Sequence, residues 1–516
     1  MRTPILRSGL FHAGPTEGID HMEERLIEPT ARDPLLEKID GACTLPRVLG
    51  PFDALTVVVG SIIGSGIFLK PAEVAKYLGA YGFGAIIAVW IGVGLITLCG
   101  SLALAELAAM LPHAGGPYVY LREAYSRMAA FLWGWTEFWI VRTGSLGALA
   151  VGTVIYLDKA LVAIRPSLAL DHYSQEGLAL AIVIGLSAIN VIATRWGANV
   201  QNVTVLIKVG FLVGIILLPF VTGRFDTALL TQTGPERMDW WRAAGLAAIA
   251  VLWPYDGWIN IGPVAEEIHN PQRNVPLALM LGVGVVITVY VGANLAYHVV
   301  LSADQIAASQ GVAADVCKKL LGPTGAIVMS IGVMCSMFGA VNSNMLTGPR
   351  IYFAMARDGL LPRAIRQVHP RFQTPANAII AQCVWTVILL LVVYDIGPIL
   401  HHTGVAEWLK RQQIEVPAAA SPEAAYSAFN NLTDFVIFGG SIFYAMAVGA
   451  VFVLRRTRPD LPRPYRTWGY PVVPALYLAF FVAVMASMLV DNPKTSIAGI
   501  CLILTGAFYY AWARRR

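Results

Sequence analysis

Charge is scarce in this chain. Asp, Glu, Lys and Arg make up 13% of its 516 residues, against roughly 25% in soluble domains. The net charge of +5 is too small a bias to indicate a nucleic acid partner. Cysteine is scarce too: the six (Cys43, Cys99, Cys317, Cys335, Cys383, Cys501) form no CxxC and no cluster with histidine. That pattern excludes a zinc framework, and most of these residues lie in apolar stretches as small core side chains. There is no HExxH, and of nine histidines only His298 falls inside a predicted span. Neither a metal nor an organic cofactor is indicated. The first 48 residues lack the apolar core of a signal peptide and read as a cytosolic tail.

What the chain has instead is apolar length. Hydrophobic residues reach 56%, and a span needs about 20 of them in succession. Twelve spans are predicted, near 53–70, 83–108, 128–157, 178–194, 199–222, 243–267, 275–300, 324–356, 376–394, 432–454, 471–490 and 495–512. The fold class is therefore an all-α integral membrane protein, with one transporter domain over 49–513 and an external loop at 397–430. Arginines gather after the eighth span (Arg357, Arg363, Arg366, Arg371), after the tenth (Arg455, Arg456, Arg458, Arg463, Arg466) and at Arg514–Arg516. The positive-inside rule puts these loops and both termini in the cytoplasm of a cell-membrane protein.

Two spans are interrupted at comparable places in two halves. The first, Val57–Leu69, is broken by Gly64-Ser65-Gly66, and the sixth, Ala243–Ala265, by Pro254-Tyr255-Asp256-Gly257. Backbone polar groups freed inside a bilayer cost several kcal/mol each unless something satisfies them. Paired breaks of this kind point to a transporter's binding site. The half-helix after Gly66 offers free N–H groups and a positive dipole end that suit a carboxylate, with Ser65 adding a hydroxyl. Gly60 and Gly64 also form a GxxxG, which close helix packing would explain equally well. Pro254 has no N–H, which leaves carbonyls near Ala250–Trp253 available to an ammonium group. One break offering donors and another offering acceptors complements a zwitterion.

Asp256 is costly near the bilayer centre, at least about 2.5 kcal/mol on insertion scales, and reads as a substrate-facing acid. Lys208, about ten residues into the fifth span, is too deep to snorkel comfortably; its ammonium can hold carbonyls of the unwound first span in place of a cation. Trp253 adjoins the break, where its ring can close over a solute. Glu137 and Arg142, five residues apart, do not share an α-helical face and are expected to pair with other helices.

These residues resemble the L-type amino acid transporter family of the amino acid–polyamine–organocation superfamily. The resemblance runs through Ile62-Ile-Gly-Ser-Gly-Ile-Phe68, Ala105-Glu-Leu-Ala-Ala-Met-Leu-Pro-His-Ala-Gly-Gly-Pro-Tyr118, Trp196-Gly-Ala-Asn-Val-Gln-Asn202, Glu266-Glu-Ile-His-Asn-Pro-Gln-Arg-Asn274 and Arg357-Asp-Gly-Leu-Leu-Pro362. It implies two inverted five-span repeats (about 53–222 and 243–454) and two appended spans, with the first and sixth helices discontinuous. It implies α-carboxylate binding by the backbone at Ile63, Gly64, Ser65, Gly66 and Ile67. The α-amino group would meet carbonyls of Trp253, Pro254 and Asp256, with Trp253 as the gate and Lys208 as the cation replacement. Sodium-independent exchange of amino acids follows from the resemblance. Many members have a small residue where this chain has Asp256, whose acid resembles the branch that also takes dibasic amino acids. No cysteine lies in 158–177, so no disulfide-linked heavy chain is expected.

A proton- or sodium-coupled importer of amino acids or polyamines is the nearest alternative. A polyamine has no carboxylate, however, and would meet a repulsive dipole at Ser65. A multi-span enzyme would need an acid–base or nucleophile–base set within reach, and no such spacing is present. A channel would show ohmic conductance.

Overall fold

The computed structural model describes residues 45–192, 194–233, 238–309, 311–402, 422–491 and 493–513. Of the expected tail, residues 1–44 lie outside these. The described elements are helical apart from one isolated parallel bridge, Leu49 to Ile268. The first expected span is two helices, α1 (Pro51–Ile62) and α2 (Gly66–Leu78), followed by α3 (Gly82–Met110), the short α4 (Pro117–Ala124) and α5 (Arg127–Thr136). A π-helical turn, Glu137–Val141, leads into α6 (Arg142–Ile164), then α7 (His172–Ile192) and α8 (Thr194–Thr222). The sixth expected span is α9 (Trp240–Tyr255) and a 3-10 helix, Trp258–Glu267. Next come α10 (Pro271–His298), the short α11 (Ala303–Ala307) and α12 (Val312–Leu321), and α13 (Pro323–Arg357). Last are α14 (Ala376–His402), α15 (Pro422–Thr457), α16 (Val472–Asp491) and α17 (Pro493–Ala513).

Eight stretches among the described residues are long and apolar enough to cross a membrane. Their outward faces keep large apolar side chains exposed, such as Leu206, Val482 and Phe508, the pattern expected where lipid rather than water surrounds the bundle.

The loop expected at 397–430 is corrected in part. Residues 397–402 complete α14 and 422–430 open α15, while 403–421 lie outside the described residues. Ile399-Leu400 prolongs an apolar helical run, and Pro422 occupies a first helical position, where its missing N–H costs nothing.

The expectation for Glu137 and Arg142 holds for Arg142, which bonds Asn260 and Asn344 of other elements, but it fails in that the two also pair with each other. Arg142 Nε and Nη2 donate to Glu137 Oε2 at 2.9 and 2.7 Å, and both side chains are buried. An α-helix would splay residues five apart, but the π turn between these two uses i to i+5 spacing and brings them onto one face.

The long polar motifs meet at one end of the bundle. Glu266 accepts from the backbone N–H of Leu45 and Ala114 (2.9 and 2.7 Å) and pairs with Arg357 at 2.9 Å. Asp358 accepts from the Tyr118 hydroxyl at 2.7 Å and pairs with Arg122. Glu106 holds Arg455 and the Thr467 backbone. Gly116, at φ +47°, lies so close to the 3-10 helix that a Cβ there would sit 2.4 Å from the Gly262 carbonyl carbon; only glycine fits. Burial holds the His113 imidazole below its usual range, so it stays neutral beside these ion pairs.

Deepest in the cluster, Arg350 grips Glu267 with two parallel bonds, Nε to Oε1 at 2.7 Å and Nη2 to Oε2 at 3.2 Å, with both side chains fully buried. Removing one partner strands a buried charge at a cost of about 3–5 kcal/mol, whereas replacing both by apolar residues is often neutral. Arg350→Ala is therefore expected to lower the thermal midpoint of the purified protein sharply, and Arg350→Met with Glu267→Leu to recover most of the loss. Equal midpoints for wild type and Arg350→Ala would contradict the pairing.

Candidate functional site

The first break forms because Ile63 leaves the helix in an extended conformation (φ −74°, ψ 99°) and α2 restarts at Gly66. Gly60 and Gly64, equivalent in the GxxxG pattern, turn out to differ. A Cβ on Gly60 would lie 1.9 Å from the Gln201 side chain, so Gly60 serves close packing against α8, whereas a Cβ on Gly64 would meet only Ala340 at 3.9 Å. Gly66 is different again: its Cβ would reach the Pro254 Cα at 2.6 Å. The two breaks therefore touch, backbone against backbone. Gly257 (φ +107°) makes the reciprocal contact, 2.5 Å from a built Cβ to the Ser61 carbonyl oxygen.

The acceptors freed by the first break are held by side chains from three helices. Lys208 of α8, fully buried, donates from Nζ to the carbonyls of Gly60 (3.1 Å) and Ile63 (2.7 Å). Ser336 of α13 donates to Gly64 O at 3.2 Å. The Tyr290 hydroxyl of α10 reaches Ile62 O at 3.2 Å and Pro254 O at 2.9 Å, joining the two breaks through one group. The donors fare otherwise. Phe68 N–H bonds Ser65 O at 3.1 Å, but Gly66 and Ile67 begin a helix and have no intrahelical acceptor. The acceptors are held by side chains, while the N–H groups of Gly66 and Ile67 open a helix, the kind of end that can receive an anion.

At the second break Pro254 has no N–H to give the Ala250 carbonyl, and the Asp256 N–H bonds Trp253 O at 3.2 Å, so it does not serve Leu252. The Trp253 carbonyl, expected with that of Pro254 to face an ammonium, thus holds one donor already, and the Pro254 carbonyl shares the single Tyr290 O–H with Ile62, so lone pairs remain on both.

A small cleft lies between the breaks, lined by backbone and side chains of both. Of the residues singled out in the sequence, Gly64, Ser65, Gly66, Trp253 and Asp256 line it. Ile63, Ile67 and Pro254 are buried beside it, and Lys208 stands behind the first break. The Trp253 indole N–H donates to the Ser65 hydroxyl at 3.4 Å, laying the ring across the break. Asp256 is hydrogen-bonded by the Tyr444 hydroxyl and the Gly257 N–H.

Three further lining side chains, Asn260, Asn344 and Tyr444, were not singled out in the sequence, and Arg142 was expected only as a structural partner. Arg142 reaches the cleft, with Nη1 on Asn344 Oδ1 at 2.7 Å and Nη2 on Asn260 Oδ1 at 2.9 Å, and Tyr444 closes the far side. Arg142 carried a usable signal, an ionisable group within a span. Asn260 sits one turn beyond Asp256 in an interrupted helix. Asn344 and Tyr444 lie in uninterrupted helices, and nothing local marks them.

The amino acid permease family model matches residues 49–510. The serine/threonine exchanger SteT of Bacillus subtilis (strain 168) is 31% identical over 482 residues, 92% of this chain and 98% of its own length. Large neutral amino acids transporter small subunit 2 of Mus musculus is 30% identical over 91% of this chain and 81% of its own. Asc-type amino acid transporter 1 of Mus musculus is 28% identical over 90% of this chain and 80% of its own.

Proposed function

The chain belongs to the amino acid permease family, and on that premise we propose that it exchanges amino acids across a membrane by alternating access. It is an integral membrane protein with apolar helices throughout. The relatives named as exchanger and amino acid transporters support the substrate class. The observation that carries the reading is the asymmetry of the two breaks: side chains hold the acceptors of the first, whose Gly66 and Ile67 N–H groups open a new helix, and a proline at the second leaves the Ala250 carbonyl without its helical donor. The substrate's α-carboxylate lies against the backbone at Ile63, Gly64, Ser65, Gly66 and Ile67. Its α-amino group meets carbonyls around Trp253, Pro254 and Asp256, and Trp253 gates the site. Lys208, bonded to Gly60 and Ile63, supplies the charge that a sodium ion would otherwise bring, so exchange is sodium-independent. Twelve spans in two inverted repeats with two appended helices, and cytoplasmic termini, complete the proposal. No disulfide-linked partner is part of it.

Counterflow in proteoliposomes with a panel of labelled amino acids tests this reading. Saturable, trans-stimulated alanine uptake, equal with and without sodium, is expected; chemical turnover of substrate without movement, or ohmic conductance, would overturn it. Asp256 faces the cleft and reads as the acid that meets a cationic side chain. Asp256→Gly should therefore weaken lysine and arginine uptake at least tenfold more than alanine uptake, roughly the worth of one desolvated charge contact. Equal loss for alanine and arginine would make the acid structural.

A further inference from the structure

Asp256 and Tyr444 line two spaces at once. Besides the cleft, they border a smaller cavity between α3, α9, α15 and α16, whose other polar side chains are Thr97, Tyr255 and Ser441. This second space has room for water and little more. Asp256 Oδ1 is buried and has no hydrogen-bond partner among the described residues, and neither do the hydroxyls of Tyr255 and Tyr477. Buried polar atoms left open beside a water-sized cavity mark a place where water enters.

The charges around Asp256 can be counted element by element. The π turn and α6 bring Glu137 and Arg142, which neutralise each other at 2.7 Å. From α15 comes Tyr444, from α16 Tyr477, and from its own helix Tyr255, all neutral phenols. The first helix and α13 offer Ser61 and Asn344, and α3 offers Thr97. Asp256 is thus the one acid on the cleft wall with no cationic partner of its own among the described residues. An ionised carboxylate in that position is costly unless a positive charge joins it.

We propose that Asp256 carries a proton when the bound amino acid has a neutral side chain and releases it to the water of the adjoining cavity when the side chain is cationic. Asp256–COOH with a neutral substrate and Asp256–COO⁻ with a cationic one then carry the same total charge. Exchanging a cationic amino acid for a neutral one is electroneutral, because a proton travels with the neutral substrate. The inference rests on the exchange reading above, and its failure is separable from failure of that reading.

Proteoliposomes holding the wild-type protein, unlabelled alanine, little buffer and a pH-sensitive dye are given external lysine. Lysine entering as alanine and a proton leave should turn the interior alkaline in proportion to lysine uptake, and a potassium-diffusion potential should leave the rate unchanged. External alanine should produce no pH change. Potential-driven lysine uptake without alkalinisation would overturn the proton inference while leaving exchange intact, and so would refusal of lysine alongside normal alanine counterflow. Absence of alanine counterflow would overturn the exchange reading itself. Asp256→Asn should abolish the alkalinisation; its persistence in that variant would assign the proton to another group.

Discussion

Gly66→Val is expected to abolish exchange, with a loss of more than a hundredfold. A β-carbon at this position would stand 2.6 Å from Pro254 Cα and 2.9 Å from its Cβ and Cγ, distances that real side chains do not show. The neighbour is a backbone atom of a proline and cannot swing aside, so one broken helix must move against the other. Inserting bulk into a packed site usually costs about 1–3 kcal/mol, enough by itself to disturb the fold only moderately. Function suffers more on the proposed reading, in which the donors of one break and the carbonyls of the other must keep their mutual distance. Misplacement by about 1 Å can cost a hundredfold where geometry is critical. Gly64 provides the comparison, since a methyl there meets only Ala340 at 3.9 Å; Gly64→Ala should lose far less. Labelled alanine counterflow, normalised to protein that elutes as a single species in detergent, separates transport from folding. Normal transport by Gly66→Val would refute the role given to the contact between the breaks.

Lys208→Ala should reduce exchange at least tenfold, or make the residual activity depend on a monovalent cation. The ammonium bonds the carbonyls of Gly60 and Ile63 on either side of the point where α1 ends. Without it, both acceptors face a fully buried void, each at a penalty of about 1–3 kcal/mol. The break then re-coils, or a cation takes the vacated position. Titrating sodium into the variant distinguishes the two outcomes. Kinetics that remain at the wild-type rate and indifferent to sodium would count against a tethered cation.

Much of this architecture is legible in the chain because the bilayer restricts the choices. A run of twenty apolar residues is read as a helix, and the expected span 83–108 lies within one residue of the start and two of the end of α3 (Gly82–Met110). Gly64-Ser65-Gly66 and Pro254 announce their breaks because glycine and proline act on the backbone locally. The π turn at Glu137–Val141 was hidden, since nothing in Glu-Phe-Trp-Ile-Val distinguishes i+5 from i+4 spacing; its signal is the ion pair that it permits. Tyr290 was hidden for a different reason. It lies in an unremarkable apolar helix, and its hydroxyl matters only because α10 crosses both breaks at the same height. Likewise, the second lone pair on the Pro254 carbonyl becomes relevant only once Tyr290 has taken the first. Contacts between helices distant in sequence carry no local mark.

On the proposed reading, two interrupted helices grip a zwitterion by both poles. Competition against labelled alanine counterflow by analogues missing one pole tests it most directly. Propionate, which lacks the ammonium, and ethylamine or putrescine, which lack the carboxylate, should each compete at least a hundredfold more weakly than alanine, because each leaves one set of backbone groups unfilled. Competition by putrescine as strong as that by alanine would contradict the account.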